Sequence, residues 1–273
     1  MGNGNGRQRV SLARKVAQRA LVLVEPYVYA DRTDAAGEVN HPRGLHAVGV
    51  RLNQAIVEAG KTPRWTFTDE QCRQFWASRE IGGPDNDPLN KYAHKHPVIN
   101  DYLHGFWQPE VTTDDRILEL GPNAGGNLSR LRELGYRNLA GVDINPVALE
   151  TLRQEHPELA AETELILGPF EQVLPTLAAG SYDTVFTMAV AIHIHPASHA
   201  IFREMVRLAS RHVCVLETEA ANGRYTFARN YKRVFERLGC TQVREIHIDR
   251  NSVPDIQRQY DGYVARLFRV DAR

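Results

Sequence analysis

From residue 113 onward, short runs of apolar and β-branched residues alternate with stretches in which apolar residues recur at helical spacing. Helices are indicated between the runs, one over 127–134 and one with Asn145 as N-cap and Pro146 in its first turn. Strands and helices that alternate in this way are typical of βαβ units on a parallel sheet. The predicted strands cover residues 116–120, 139–143, 165–167, 183–188, 213–216, 242–248 and 263–270.

Residues 1–112 have an irregular pattern of apolar and polar positions and are rich in polar aromatic residues, histidine and proline. The pattern therefore divides the chain into a mainly helical cap or lid at 1–112 and a sheet domain at 113–273. The first cap helix is basic, which suits a solvated helix packed on the domain or on the second subunit of a homodimer better than an anionic membrane surface. The predicted cap helices cover residues 10–24, 45–59 and 71–79.

Composition narrows the range of partners. The 273 residues include 33 Lys and Arg and 33 Asp and Glu, so the formal net charge is zero. This balance argues against nucleic acid as the main partner, because domains that bind a phosphate backbone carry a basic excess. The three scattered cysteines indicate reduced thiols, and no apolar run is long enough for stable membrane insertion. We therefore expect a cytoplasmic protein that acts on a small molecule.

The most informative segment is residues 117–128, I-L-E-L-G-P-N-A-G-G-N-L, where the first strand ends in a glycine-rich turn. Such a turn lets a ligand approach backbone N–H groups closely. A dinucleotide-binding turn needs glycine at the position of Asn123, so a pyrophosphate fits poorly. Glu119 places a carboxylate just before the turn, and a carboxylate there suits a ligand with a positive centre.

The series Glu119, Gly121, Asn123 and Gly125 resembles the first motif of class I S-adenosylmethionine-dependent methyltransferases, acidic-x-G-x-G-x-G, with Asn123 in place of the middle glycine. In that family the motif holds the methionine part of the cofactor. The resemblance implies a Rossmann-like α/β fold, with a seven-stranded, mostly parallel sheet, helices on both faces and S-adenosyl-L-methionine as cofactor.

Further cofactor contacts are expected where later strands end. Asp143 ends the second predicted strand, where a carboxylate accepts hydrogen bonds from ribose hydroxyls, a feature shared with nicotinamide enzymes. By resemblance, the turn at Phe170 contacts adenine, with core packing of this ring as the alternative, and the segment from Trp76 to Tyr92 forms a lid. The candidate cofactor-binding residues are Trp76, Tyr92, Glu119, Gly121, Pro122, Asn123, Gly125, Asn127, Asp143, Ile144, Gly168, Pro169, Phe170 and Met188.

Histidines follow the fourth strand in the pattern H-x-H-x-x-x-H, at His193, His195 and His199. The segment 183–193 resembles the D-x-V-x-x-x-x-V-L-x-H pattern of small-molecule members of the family. A hydroxyl acceptor benefits from a base with a pKa near 7, so His193 and His195 are the catalytic candidates. Two alternatives remain: His193 holds its loop by a backbone hydrogen bond, or the histidines bind a divalent metal, which is not favoured.

Acceptor contacts are expected at the carboxyl ends of the strands, because open α/β sheets bind ligands there. Glu217 and Glu219 follow the fifth strand and are also the carboxylates that a metal site would use. Downstream, the segment 225–231 offers aromatic residues and an arginine. The candidate substrate-binding residues are Glu217, Glu219, Arg229 and Tyr231.

The family members most similar in loop style are small-molecule and sugar methyltransferases of bacterial biosynthetic pathways. This resemblance implies O-methylation of a saccharide, a glycosylated compound or another secondary metabolite, with a histidine as general base. N-methylation of an amino sugar or small amine and metal-assisted sugar O-methylation are alternatives within the same framework. A non-catalytic module that binds a nucleotide cofactor is the alternative of another class. A base-modifying enzyme is disfavoured, because no Asn-Pro-Pro-aromatic motif follows the fourth strand.

Overall fold

The computed structural model of the protein describes residues 44–64, 66–78, 97–220, 223–256 and 260–271. Within these ranges the centre of the molecule is a seven-stranded sheet with the strand order β3-β2-β1-β4-β5-β7-β6. The strands are β1 (Ile117–Leu120), β2 (Leu139–Asp143), β3 (Glu164–Leu167), β4 (Tyr182–Met188), β5 (Ala209–Thr218), β6 (Cys240–Ile248) and β7 (Tyr263–Val270).

Strands β1 to β5 run parallel, and β7 lies antiparallel between β5 and β6. Because β1 pairs with β2 on one side and with β4 on the other, the chain order reverses at β1. Ligands of open α/β sheets bind at such a reversal, at the carboxyl ends of the strands. The predicted Rossmann-like, mostly parallel sheet is confirmed, and the last two strands pair as an antiparallel hairpin.

Each predicted strand is present, and β5 differs most from its prediction. It extends from Ala209 to Thr218, well beyond the predicted 213–216. The polar residues that lengthen it include His212, which is buried between neighbouring strands. Backbone pairing with β4 and β7 on the two edges of β5 extends the strand beyond its apolar run.

Helices cover both faces of the sheet. One apolar core lies on the side that contains Leu128, and the other contains Phe202. Asn145 caps its helix as predicted, because its side chain accepts hydrogen bonds from the backbone N–H groups of Val147 and Ala148. The helices of this region are α4 (Gly126–Glu133), α5 (Pro146–Glu155), α6 (Pro157–Glu162), α7 (Phe170–Val173), α8 (Ala200–Leu208) and α9 (Tyr231–Glu236).

Three further helices precede the sheet: α1 (Gly44–Glu58), α2 (Asp69–Ala77) and α3 (Pro97–Trp107). Helix α2 begins before the predicted residue 71, because Thr68 and Gln71 form a reciprocal capping box that fixes its start. Helix α3 was not predicted from the sequence. The predicted helix at 10–24 lies outside the described residues. Among the described residues, no helix combines the length and the apolar character needed to cross a bilayer.

Candidate active site

A cavity of about 410 Å³ lies at the carboxyl ends of the parallel strands, and α2 covers it. The turn after β1, the end of β2 and the loops after β3 and β4 all contribute to its wall, as expected at the reversal of strand order. The predicted site residues that line it are Trp76, Gly121, Asn123, Asp143, Ile144, Pro169, Phe170, Met188, His193 and His195.

The turn after β1 has positive φ angles that favour glycine. Gly121 has a φ of 75°, and a Cβ there would lie 2.7 Å from Cγ2 of Val190. Asn123 also adopts a left-handed conformation, with a φ of 53°, which asparagine tolerates better than most residues. The turn therefore fits tightly against the loop after β4, and the Asn123 variant of the motif keeps the curvature of the usual glycine.

Several residues of the motif support the turn from behind rather than line the cavity. Glu119 is fully buried, and its carboxylate accepts a hydrogen bond from the side chain of Asn127, which joins β1 to the start of α4. Direct contact of these side chains with the cofactor stays a prediction. The other predicted residues outside the cavity wall are Pro122, Gly125 and Gly168.

Asp143 lies at the end of β2 and faces the cavity. Its carboxylate accepts hydrogen bonds from the backbone N–H groups of Asn123 and Asn145, both at 2.9 Å. Burial raises the pKa of this carboxyl, and the backbone donors oppose that rise. A carboxylate has about four lone-pair positions, so it can accept further hydrogen bonds from a ligand.

The region after β3 combines an apolar wall with acidic groups. Phe170 lines the cavity and also packs against the core that contains Phe202. Beside it, the hydroxyl of Ser198 lies 3.1 Å from Asp69 and 2.5 Å from Glu171, so a hydrogen-bonded group joins α2 to this wall. The acidic residues that line the cavity are Asp69, Asp143 and Glu171, and Arg73 is the basic one.

His193 is held by a hydrogen bond from its ring to the backbone. Its Nδ1 lies 2.9 Å from the backbone carbonyl oxygen of Tyr225. Because a carbonyl oxygen only accepts, Nδ1 carries the proton in the neutral ring, and Nε2 then carries the lone pair. The ring also packs against Trp76, with centroids 4.4 Å apart.

His195 has a different environment. Its Nδ1 accepts a hydrogen bond from the backbone N–H of Ala197 at 3.1 Å, and its Nε2 lies 3.3 Å from the hydroxyl of Thr62. Burial lowers the pKa of His195, although Asp69 nearby opposes this shift. The ring thus uses Nδ1 to cap the turn at Pro196–Ser198, and its role as the second candidate base stays a prediction.

The four predicted acceptor contacts do not belong to the described wall of the cavity, and their role in acceptor binding stays a prediction. Glu217 is fully buried and accepts hydrogen bonds from the loop after β4. Glu219 pairs with Arg266 and caps the N–H of Tyr231. Arg229 is buried and donates to backbone carbonyls.

The same contacts test the metal alternative. Glu217 and Glu219, the carboxylates proposed as ligands beside the histidines, are bonded to backbone N–H groups and to Arg266. In the described part of the chain, no group of three or more His, Cys, Asp and Glu side chains is arranged to hold a metal ion.

Other cavity residues were not predicted. Tyr225 lies in a segment that the sequence marked only as rich in aromatic residues, and its ring contacts those of Trp76 and His193. Tyr260 comes from the loop before β7, and Tyr263 is the first residue of β7. Their position depends on the antiparallel pairing of β7 with β5. Tyr92, a predicted lid residue, lies outside the described residues. The remaining unpredicted wall residues are Asp69, Cys72, Arg73, Asn145, Ala148, Glu171, Ala189, Val190, Ile194 and Ile201.

Comparison with known proteins agrees with this architecture. Residues 118–213 match the family model described as "Methyltransferase domain". A search of curated proteins found no match. Magnesium protoporphyrin IX methyltransferase from Synechocystis PCC 6803, solved with bound S-adenosylhomocysteine, is 16% identical, with a TM-score of 0.55 over 75% of this chain and 100% of that chain.

A second solved structure is geranyl diphosphate C-methyltransferase from Streptomyces coelicolor A3(2), in complex with Mg²⁺, geranyl diphosphate and S-adenosyl-L-homocysteine. It is 10% identical, with a TM-score of 0.55 over 77% of this chain and 98% of that chain. At these identities the two structures show a shared fold, and the chemistry of the acceptor has to be argued from the site. The chain thus contains a segment, residues 118–213, that matches a methyltransferase domain, and it shares the fold of the two solved methyltransferases.

Proposed function

We propose that the protein transfers the methyl group of S-adenosylmethionine to a hydroxyl group of a small polar acceptor, a saccharide or a related secondary metabolite. His193 acts as the general base. The observation that carries this proposal is the hydrogen bond between Nδ1 of His193 and the carbonyl of Tyr225, in the wall of the cavity.

The cavity suits the cofactor in charge and in donor chemistry. The Asp143 carboxylate can accept further hydrogen bonds from ribose hydroxyls. The backbone N–H groups of the turn at Gly121 and Asn123 can be approached closely by the methionine part of the cofactor. Pro169 and Phe170 offer an apolar surface for adenine. Besides the ion pair of Asp69 with Arg73, the described wall contains the carboxylates of Asp143 and Glu171, and these favour a ligand with a sulfonium and an ammonium group.

The bound cofactor supplies a methyl group on a positively charged sulfur. The acceptor oxygen forms a bond to this carbon as the carbon–sulfur bond breaks, and S-adenosylhomocysteine is left. The hydroxyl proton goes to Nε2 of His193, because Nδ1 is already protonated and bonded to Tyr225. A base near neutral pKa typically contributes about 10²- to 10⁴-fold to such a step.

The saccharide class follows from resemblance, and the cavity is compatible with it. The rings of Trp76 and Tyr225 meet edge to face at 5.8 Å and form an aromatic part of the wall beside His193. An aromatic surface next to a base suits an acceptor with an apolar face and a hydroxyl-bearing edge.

A second candidate is N-methylation of an amino sugar or small amine. The observation that favours it is the Glu171 carboxylate in the wall, beside the ion pair of Asp69 with Arg73, because a carboxylate attracts a protonated amine. In that reaction His193 serves mainly to hold its loop, because a deprotonated amine needs less help from a base.

The test uses the full chain. Titration calorimetry with S-adenosylhomocysteine and with NAD measures cofactor choice, and a screen of saccharides, hydroxylated metabolites and amines with methyl-labelled S-adenosylmethionine measures transfer. We expect S-adenosylhomocysteine to bind and an oxygen-methylated product to form, with equal rates in chelator and in magnesium. Binding of NAD alone would overturn the proposal. Products methylated only on nitrogen would favour the second candidate, and activity restored by magnesium after chelation would favour the metal-assisted reaction.

A further inference from the structure

The loop after β4, residues 189–194, is held by charged side chains buried behind the cavity. Glu217, at the end of β5, is fully buried. One carboxylate oxygen accepts hydrogen bonds from the N–H groups of Val190 at 3.0 Å and Ala191 at 2.8 Å, and the other accepts from Ile192 at 3.3 Å. A single carboxylate therefore satisfies three consecutive backbone donors of the loop.

Arg229 donates hydrogen bonds to carbonyl oxygens of the same loop. Its guanidinium is buried and donates to the carbonyl oxygens of Ile194 at 2.6 Å and Phe227 at 2.8 Å, with Ala191 at 3.5 Å. The planar fork of a guanidinium reaches several acceptors in fixed directions, which an ammonium group does not. The loop is thus bonded from its donor side by an anion and from its acceptor side by a cation.

Two backbone contacts continue this arrangement toward His193. The N–H of Phe227 donates to the carbonyl of Ile192 at 2.7 Å, next to the hydrogen bond between His193 and the carbonyl of Tyr225. Arg229 bonds to the carbonyl of Phe227 in the same segment. The loop that carries His193 and the segment at Phe227 are therefore hydrogen-bonded to one another and to Arg229.

Burial of the Glu217 and Arg229 charges has a free-energy cost that an apolar core does not have. Removing a charged group from water is unfavourable unless hydrogen bonds replace the lost hydration, and apolar residues of similar size often serve a core equally well. Glu217 accepts hydrogen bonds from backbone N–H groups of the loop and from the hydroxyl of Thr187 at 2.9 Å. Arg229 donates to a backbone carbonyl of the same loop. Their common target is the loop that carries His193.

We propose that Glu217 and Arg229 are positioning residues that fix the ring of His193 for proton transfer. The inference rests on the proposed function in one respect, the role of His193 as base. Its geometric content, that the two buried charges hold the loop so that the His193 ring keeps its hydrogen bond to the carbonyl of Tyr225, can be measured without an acceptor.

The test compares Glu217→Gln and Arg229→Lys with matched controls that alter buried charges elsewhere. Glu217→Gln keeps one acceptor oxygen but turns an NH₂ group toward backbone N–H donors, and Arg229→Lys keeps the charge but loses the fork. Asp115→Asn changes a buried carboxylate before β1, which bonds to Thr112 and Arg211. Arg266→Lys changes a buried guanidinium on β7 that pairs with Glu219.

Three readouts are taken for each variant: the affinity for S-adenosylhomocysteine, kcat and KM for the acceptor found in the screen, and the histidine side-chain NMR spectrum. The signals of His193 are assigned by their absence in His193→Asn. Because a buried charge variant can fail to fold, Thr187→Val is added, which removes one donor to Glu217 with nearly unchanged volume.

We expect kcat to fall about 10- to 100-fold in Glu217→Gln and Arg229→Lys, and a few-fold in Thr187→Val, since a small misplacement of a catalytic group has effects of this size. Cofactor affinity should change by less than about threefold, and the Nδ1-protonated form of His193 should lose population in the variants but not in the controls. Unchanged His193 signals and kcat in the folded variants, Thr187→Val included, would overturn the proposal. So would equal losses in the controls.

Failure of the proposed function gives a different result. If the wild-type protein binds cofactor but methylates no acceptor, or binds no cofactor, the role of His193 as base falls while the NMR comparison still decides the positioning. Altered His193 signals in Glu217→Gln and Arg229→Lys alone then support it, and unaltered signals overturn it.

Discussion

His193 and Tyr225 are in contact at two levels. Nδ1 of His193 lies 2.9 Å from the backbone carbonyl of Tyr225, and the two rings are tilted by 38° with centroids 5.6 Å apart. The backbone contact determines which ring nitrogen carries the proton, and the ring contact forms part of the cavity wall. The sequence left His193 as either a base or a support for its loop, and the hydrogen bond to Tyr225 makes Nε2 the ring nitrogen with the lone pair.

Substitution of His193 separates these two roles. His193→Asn places an amide N–H near the position of Nδ1, so it can keep the hydrogen bond to Tyr225 while it removes the base. We expect His193→Ala and His193→Asn both to lower kcat by about 10²-fold or more, with little change in cofactor affinity. His247→Ala, on β6 with a side chain 69% exposed, is the control. Normal kcat in His193→Asn would show that only the support of the loop matters.

Asp143 should contribute to cofactor affinity through the ribose. Hydrogen bonds to a charged group are typically worth about 1.5–3 kcal/mol, so the loss of one weakens binding by about 10- to 100-fold. We expect S-adenosylhomocysteine to bind the wild type at least tenfold more tightly than its 2′-deoxy or 3′-deoxy analogue, and this preference to shrink in Asp143→Asn. Calorimetry measures both. A preference that persists in the variant would place the ribose contact on another residue.

His195 should make stability depend on pH. Burial lowers its pKa in the folded protein below the usual 6.5. Above pH 6.5 the ring is neutral in both states, but as the pH falls further the unfolded chain takes up the proton first, so the free energy of unfolding decreases until the folded pKa is reached.

The variant for this prediction is His195→Asn, whose side-chain oxygen can replace Nδ1 as the acceptor for the N–H of Ala197. Urea unfolding at pH 7 and at pH 5 should show a smaller loss of stability in the variant than in the wild type. An identical loss in both proteins would mean that the decrease comes from other groups, such as His199 and His212, whose pKa values burial also lowers.

Ala189 adopts a left-handed backbone conformation, with a φ of 58°, where β4 leads into the loop that carries His193. An L-residue there costs about 1–2 kcal/mol, which glycine avoids, whereas the greater freedom of glycine in the unfolded chain returns part of the gain. We expect Ala189→Gly to raise the free energy of unfolding by about 0.5–1 kcal/mol. Ala191→Gly, at a buried position of the same loop without this conformation, should lower it by about 1 kcal/mol. Thermal unfolding that showed the same sign for both variants would contradict the strain at Ala189.

Much of the architecture could be predicted because it depends on local patterns. The runs that form β2 and β7 have their observed bounds in the sequence, and Asn145 caps its helix through its own side chain. The turn at Gly121 was recognisable because a positive φ restricts the residue types that can occupy it. Helix α3 was not predicted, and it packs against α4, which is distant in the sequence.

The sequence by itself determined the order of strands and helices, the glycine turn, Asp143 at a strand end and the histidines after β4, because each depends on residues close together in the chain. Only the tertiary structure decided which side chains face the cavity. Glu217 and Arg229 looked like acceptor contacts, yet they are bonded to backbone groups more than twenty residues away. Tyr260 and Tyr263 reach the wall through the pairing of β5 with β7, and Tyr225 through ring contacts with Trp76 and His193. The direction of a side chain at a strand end depends on which distant backbone groups need a partner, and a linear pattern does not contain that information.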